Sequence, residues 1–234
     1  MKLKLNSDFH DYYDAWFDLD AEYTLSRRMT DGPNKIEAFK LLNLMGIKTP
    51  KYGMVAELYK DLASQFYDGK EAIKKVGYDK VVELVVYTDI NAHAGEGKIK
   101  VTLEEAREKY PGHFAVQYIP NDTRVFASRS ERLLQIGSRR IWLEYTSADN
   151  WQSNCGDVNI TLIPTDTTRT FKIRGIRLPF FAIDYVTSGH DRLAVDLNVS
   201  PGLRGTPVQQ QLKAQDIVDL IKDRMVDIYN IPRF

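Results

Sequence analysis

Apolar residues fall into helical and alternating stripes along most of this chain, and the two periods predict a mixture of helices and strands. After a loop at Asp31-Gly32-Pro33-Asn34, residues Ile36, Phe39, Leu42 and Met45 share one helical face, and Gly46 is placed to end that helix. Met54, Val55, Leu58, Tyr59 and Leu62 make a second helical stripe. Val81 to Tyr87 reads as a strand running into a loop that holds Gly95 and Gly97. Thr102 with Glu105 three positions later is a capping box, opening a short helix to Arg107 or Lys109. Phe114 to Pro120 reads as a buried strand. From Arg139 to Tyr145 the alternation is clean, with Ile141, Leu143 and Tyr145 on one face and Arg140, Trp142 and Glu144 on the other. Val158, Ile160 and Leu162 alternate in the same way. Two more strands flank a turn at Thr187-Ser188-Gly189-His190-Asp191. Thr206 is placed to cap a last helix with Pro207 at its first position and Ile217, Leu220, Ile221 and Met225 as its packing stripe. Near the start, Phe9, Tyr12, Tyr13, Trp16 and Phe17 have helical spacing, which predicts an N-terminal helix docked on the core.

Composition narrows the class. The chain has 234 residues, 43% of them hydrophobic and 27% charged, which is ordinary for a soluble globular protein of one or two domains. Lys and Arg number 32 and so do Asp and Glu, so a broad nucleic-acid footprint is not expected. Cys155 is the only cysteine, which excludes an intrachain disulfide and thiol-rich metal sites and fits a reducing, cytoplasmic setting. No histidine is spaced to pair with it, so Cys155 is read as a small buried thiol and His190 as a turn residue. No apolar run of ~18 residues is present, so no membrane partner is expected.

The chemistry concentrates between Phe181 and Gly205. Asp184 and Asp196 interrupt two otherwise apolar strands, and Asn198 follows on the same face as Asp196 before a Ser200-Pro201-Gly202 turn. A carboxylate inside Leu193-Ala194-Val195-Asp196-Leu197 is costly to bury without a cation or donors. If the strands pair as a hairpin, the two acids approach each other, and two carboxylates with an amide oxygen suit Mg2+ or Mn2+ holding phosphates.

Ala182-Ile183-Asp184-Tyr185 followed by Asp196-Leu197-Asn198-Val199-Ser200-Pro201-Gly202-Leu203-Arg204-Gly205 resembles the metal-binding end of the ATP-grasp enzymes, in the branch that ligates amino acids to peptide or protein carboxylates. Asp196 stands where that branch has Glu. Asn34-Lys35 through Gly46-Ile47-Lys48-Thr49-Pro50 looks like the family's first small-lobe helix and the turn after it. Ser7 to Asp14 resembles the openings of uncharacterised bacteriophage proteins.

The resemblance implies an α+β, two-lobed ATP-grasp-like fold with ATP in the cleft between the lobes and a truncated N-terminal domain. The expected division is an N-terminal helical extension at 1–33, a small lobe at 34–120, and a large lobe with the metal site at 121–234. It implies ATP and Mg2+ (or Mn2+) as cofactors, with Asp184, Asp196 and Asn198 as metal ligands and Lys35, Lys98, Lys100, Gln117 and Tyr118 around the nucleotide. Arg139, Arg140 and Asn154 are the implied catalytic residues, Asn154 lying in a stretch similar to the family's F-R-S-N motif. Tyr87 occupies the place of the family's phosphate lysine, leaving that charge to Lys98 or Lys100, and Gln152 replaces the motif's arginine. Downstream, Arg169, Lys172, Arg174 and Arg177 offer substitutes. The activity implied is ligation of a carboxylate, on a small molecule, peptide or protein, to an amine or thiol through an acylphosphate. Two alternatives stay open: a degenerate member that binds nucleotide or a protein partner without ligation, and a kinase.

Overall fold

The computed structural model describes residues 33–67, 82–91, 96–120, 126–164, 178–199, 201–203 and 205–229, together with short strands at Lys2–Lys4 (β1), Trp16–Leu19 (β2) and Leu25–Ser26 (β3). These three strands pair antiparallel in the order β1-β2-β3. The expected N-terminal helix is therefore corrected at Trp16 and Phe17, which lie in a strand opposite Lys2–Lys4. Aromatic residues suit a pleated strand once a partner is available, and helical spacing alone does not exclude one. The other aromatics of that stripe lie outside the described residues.

The first helix, α1 (Lys35–Leu44), starts where its N-terminal N–H groups find acceptors. Asn34 Oδ1 accepts from the Glu37 N–H and Glu37 Oε2 accepts from the Asn34 N–H, both at 3.0 Å, which completes a capping box. Gly46 ends the helix with φ of 70°, a conformation that an L side chain resists. α1 is apolar toward two neighbours. Ala38 and Leu42 pack on one sheet with Leu133, Trp142, Phe181, Ile183 and Ala194, while Phe39 packs on another with Tyr87, Phe114 and Val116.

The smaller of those sheets has the order β4-β7-β5-β6, from β4 (Tyr52–Met54), β5 (Glu83–Tyr87), β6 (Lys98–Thr102) and β7 (Phe114–Gln117), all antiparallel. Helices α2 (Val55–Tyr67) and α3 (Leu103–Lys109) cover its outer face through Val55, Leu58, Leu62, Leu103 and Ala106. Thr102 caps α3 by accepting from the Glu105 N–H at 3.2 Å.

The larger sheet has the order β10-β9-β8-β11-β12, again antiparallel throughout. Its strands are β8 (Ser128–Ile136), β9 (Arg139–Ser147), β10 (Val158–Ile163), β11 (Phe180–Ser188) and β12 (Asp191–Asn198). On one face Leu134, Ile136, Leu143, Tyr145, Phe180 and Ala182 meet α4 (Val208–Gln211) and α5 (Ala214–Tyr229) through Val208, Leu212, Ile217 and Ile221. The other face meets α1. The C-terminal region departs from expectation. Thr206 donates its hydroxyl to the Leu203 carbonyl at 2.7 Å instead of capping, Pro207 takes the N-cap, and extended backbone at Leu212 splits the helix in two.

One close approach fixes the central hairpin. Gly137, in the turn between β8 and β9, has φ of 58°, and a Cβ there would lie 2.0 Å from the Leu220 carbonyl oxygen of α5. We expect Gly137→Ala to cost about 3 kcal/mol or more, since left-handed strain and overpacking add. Denaturant titration measures it, and a loss comparable to an ordinary surface substitution would contradict this packing.

Candidate functional site

The two strand acids meet because of register. In the β11–β12 hairpin Asp184 lies directly opposite Asp196, and Asn198 lies opposite Ala182 on the same face. Between Asp184 and Tyr185 the register shifts by a β-bulge, so that Tyr185 pairs with Ala194 and Val195 is the extra residue. Directly opposed Cβ atoms lie about 5 Å apart. Two negative charges at that separation repel by about 3 kcal/mol at the effective dielectric of a partly buried site. Cations must offset this.

Asp184 is held from the neighbouring strand. Arg132 on β8 donates from Nε to Oδ1 at 2.6 Å and from Nη2 to Oδ2 at 2.8 Å, a bidentate pair with side chains 13% and 18% exposed. Burial opposes the guanidinium charge, but the Asp184 carboxylate and its hydrogen bonds outweigh it and raise Arg132 above its ordinary value. The Tyr145 hydroxyl and ring also lie against this guanidinium, with the oxygen 3.2 Å from Nη1. Asp196 is held from the other direction. Lys35, the first residue of α1, places Nζ 2.7 Å from Oδ1.

A third cation comes from the small sheet. Lys98 on β6 is the cross-strand partner of Tyr87 and lies 5.9 Å from the centre of the Trp151 ring. Burial pushes its pKa below the lysine range against the opposing pull of Asp196, and Lys35 and Asp184 also act on it. Among the described residues it makes no ion pair. Tyr87 itself is buried, with its ring 5.7 Å from Phe114, and burial together with Asp196 raises its hydroxyl pKa. The position that the resemblance assigns to a lysine is thus filled by a core tyrosine, and Lys98 stands opposite it on the adjacent strand.

Lys100, Gln117 and Tyr118 lie next along the small sheet. Lys100 sits 4.4 Å over the Tyr118 ring and 3.5 Å from Glu83, and Tyr118 makes an edge contact with Trp151. The Gln117 and Tyr118 N–H groups donate to the carbonyls of Lys51 and Glu83, so neither is available to a base edge. Trp151 belongs to a loop fastened to the large sheet. Ser153 and Ser130 share a hydrogen bond of 2.6 Å, and Asp149 accepts from the Asp157 N–H at 2.9 Å. Asn154 is exposed in this loop, 3.7 Å from the half-buried Cys155 thiol, which donates to Gln152 at 2.8 Å.

Arg139 and Arg140 are not brought to the acids. They open β9 beyond the Gly137 turn, opposite Ile136 and Gln135, whereas Asp184 lies opposite Arg132. Arg139 lines an open groove with Asp216, Asp219 and Asp223 of α5, and Arg140 donates to Gln135. Arg169, Lys172, Arg174, Arg177, Ser200 and Arg204 lie outside the described residues. The residue missed in the sequence is Arg132, on the strand that was not anticipated. Its signal was the Gly137-Ser138 pair, a two-residue hairpin turn that calls for a strand on each side.

The donors suit a divalent cation in part. Asp196 and Asn198 offer hard oxygens on one face, whereas both oxygens of Asp184 are engaged by Arg132. Among the described residues no group of three or more His, Cys, Asp or Glu is gathered to hold a metal. Hard oxygens of this kind are those Mg2+ takes, one or two carboxylates with phosphates and water completing its shell.

No family model matches the chain, and no curated protein matches it. Solved structures do. The D-cycloserine synthetase DcsG superposes with a TM-score of 0.51 at 7% identity, over 83% of this chain and 70% of that one. A D-alanine–D-alanine ligase from Bacillus anthracis gives 0.49 at 12% identity, over 84% and 68%. A RiPP-associated ATP-grasp ligase from Chryseobacterium gregarium, in complex with ADP and a leader and core peptide, gives 0.41 at 15%, over 83% and 59%. At these identities the likeness is one of fold. With two antiparallel sheets joined through α1, the chain has the α+β, ATP-grasp-ligase-like fold.

Proposed function

We propose that this protein binds ATP with a divalent cation between its two sheets and uses it to join a carboxylate to an amine or thiol. The observation that carries the reading is the convergence of Lys35, Lys98 and Arg132 on Asp184 and Asp196 from three separate elements. A cation cluster of this kind at a cleft between lobes is suited to a triphosphate. Asp196 and Asn198 would hold the divalent cation, which offsets charge on the phosphate oxygens. Lys98 and Lys35 would orient the terminal phosphate. The acceptor carboxylate oxygen attacks the γ-phosphorus and ADP leaves. The amine or thiol then attacks the acyl carbon, loses a proton and displaces phosphate. Lys100, Tyr118 and Trp151 form the aromatic and cationic wall nearest the place where the base would lie.

A second reading has specific support. Both acids already have protein counter-ions, Tyr87 is buried where the resemblance expects a lysine, and Gln152 stands in place of an arginine. These features suit a protein that binds nucleotide or a partner and stops there.

Thermal melts separate the proposal from no binding at all. Mg-ATP at about 100 times its Kd should stabilise the protein by about 2.7 kcal/mol, and Asp196→Ala should remove most of that gain. An unchanged melting temperature would end the nucleotide reading. ADP release with pooled carboxylates, amino acids and peptides then distinguishes ligation from binding alone, and isolating a phosphorylated product without a new bond would indicate a kinase.

The Lys98 ammonium gives a pH signature. Its pKa is lowered in the unliganded protein, so nucleotide affinity should fall as pH rises through that lowered value, below the usual lysine range. Lys98→Arg should abolish the fall, and Lys98→Met should weaken binding about 10–100-fold at neutral pH, the worth of one charge-assisted contact. For stability the sign is opposite. Between the lowered and the ordinary pKa the native state binds fewer protons, so stability contributed by this group rises with pH there, and Lys98→Met flattens that rise. Isothermal titration across alkaline pH checks the first, and denaturant melts the second.

Arg132→Ala leaves Asp184 half-buried without its cation and should destabilise by about 3–5 kcal/mol. The double variant Arg132→Ala with Asp184→Ala should recover much of that loss. Additive losses in a double-mutant cycle would mean the pair is not coupled.

A further inference from the structure

The two acids of the site are neutralised in physically different ways. Arg132 grips both oxygens of Asp184 with a planar fork from the middle of a sheet, and the guanidinium is also packed against the Tyr145 ring 4.8 Å away. Nothing in that arrangement can turn away without breaking two short hydrogen bonds and exposing a buried cation. Lys35 makes a single-point contact to one oxygen of Asp196, from a flexible four-carbon stem at the start of α1. An ammonium in the first turn of a helix stands against the positive end of the helix dipole, so its placement there is unfavourable apart from its counter-ion. Asp196 and Lys35 are also the more open pair, 29% and 19% exposed. The helix does not need this lysine, because its start is secured by Asn34 and Glu37.

Resting on the nucleotide reading, we propose that Lys35 is a displaceable counter-ion. It neutralises Asp196 in the free protein, yields that carboxylate to a divalent cation arriving with the nucleotide, and moves its ammonium onto the phosphates. Arg132 keeps Asp184 throughout, so the centre takes one divalent cation, on Asp196 and Asn198. Metal and nucleotide consequently bind in linkage. Without nucleotide, a metal must evict Lys35 and leave its charge uncompensated beside Lys98. With nucleotide, the phosphates receive that charge. The device holds the two carboxylates neutral at rest and prevents a bare cation from occupying the site alone.

Mn2+ binding to the full chain, followed by the electron-paramagnetic-resonance signal of free Mn2+, tests this without any turnover. In nucleotide-free protein Lys35→Met should bind Mn2+ about tenfold or more tighter than the parent, since it removes a competing cation at Asp196. ADP should tighten Mn2+ binding strongly in the parent and much less in Lys35→Met. Lys35→Arg, which restores the charge, should return Mn2+ affinity toward the parent's, and Asp196→Asn should abolish the gain of Lys35→Met. With ADP present, one Mn2+ per chain is expected. Equal Mn2+ affinity in the parent and Lys35→Met, with Mg-ATP still stabilising the parent, would overturn the counter-ion role and leave the nucleotide reading intact. Two Mn2+ per chain would overturn the permanent Arg132–Asp184 pair. A parent that responds to neither ATP nor Mn2+ would remove both proposals.

Discussion

The molecule depends on one helix being buried on two sides. α1 sends Ala38 and Leu42 into the large sheet and Phe39 into the small one, and burying a side chain of that size contributes about 2 kcal/mol. The chain leaving α1 completes the joint. The Lys48 carbonyl accepts from the Ala194 N–H on β12, and three residues later the Lys51 carbonyl accepts from the Gln117 N–H on β7. Two sheets with separate cores are thereby held together. The cleft charges follow from that joint, since Lys35 leads the same helix and Lys98 stands on the sheet that the helix positions.

Electrostatics and packing are coupled at this junction. Placing Asp184 and Asp196 directly opposite each other is unfavourable for a hairpin considered alone. The large sheet offsets half of the problem internally through Arg132, and α1 offsets the other half from outside. The first pair is part of the sheet, while the second exists only when α1 is docked on it. Docking of α1 is therefore rewarded electrostatically as well as by apolar burial, which links assembly of the fold to the readiness of the site.

Much of the fold was legible. The stripe Ile36, Phe39, Leu42, Met45 with Gly46 marked α1, and the alternation of Ile141, Leu143 and Tyr145 with Trp142 marked β9, because the apolar residues of each element keep one period even where they pack on two cores. β8 escaped for a physical reason. It is central and has charge on both faces, Arg132 toward Asp184 and Glu131 toward Arg192 at 2.6 Å, so its apolar alternation is broken by residues satisfied only in tertiary structure. The acids of the site were visible as acids, yet their partners lie 52 and 161 positions away and no local pattern announces them. Arg139 and Arg140 were conspicuous for the opposite reason, being adjacent and exposed, and they lie at the Gly137 end of the hairpin, away from Arg132 and Asp184.

The single unpaired residue in β12 has a consequence for how this surface can change. In an unbroken strand, positions 194 and 196 would share a side, yet Ala194 packs into the interior beneath α1 while Asp196 stands beside Asp184. Val195 is the spacer that lets one strand present a hydrophobic anchor and a carboxylate in opposite directions within two steps. Removing that one position would close the bulge and leave Ala194 and the acid on opposite sides by plain alternation, whereas a one-residue shift elsewhere in the strand would turn the acid toward α1. Insertions and deletions outside the bulge are therefore far more restrictive in this hairpin than side-chain replacements, because they invert polarity instead of adjusting it.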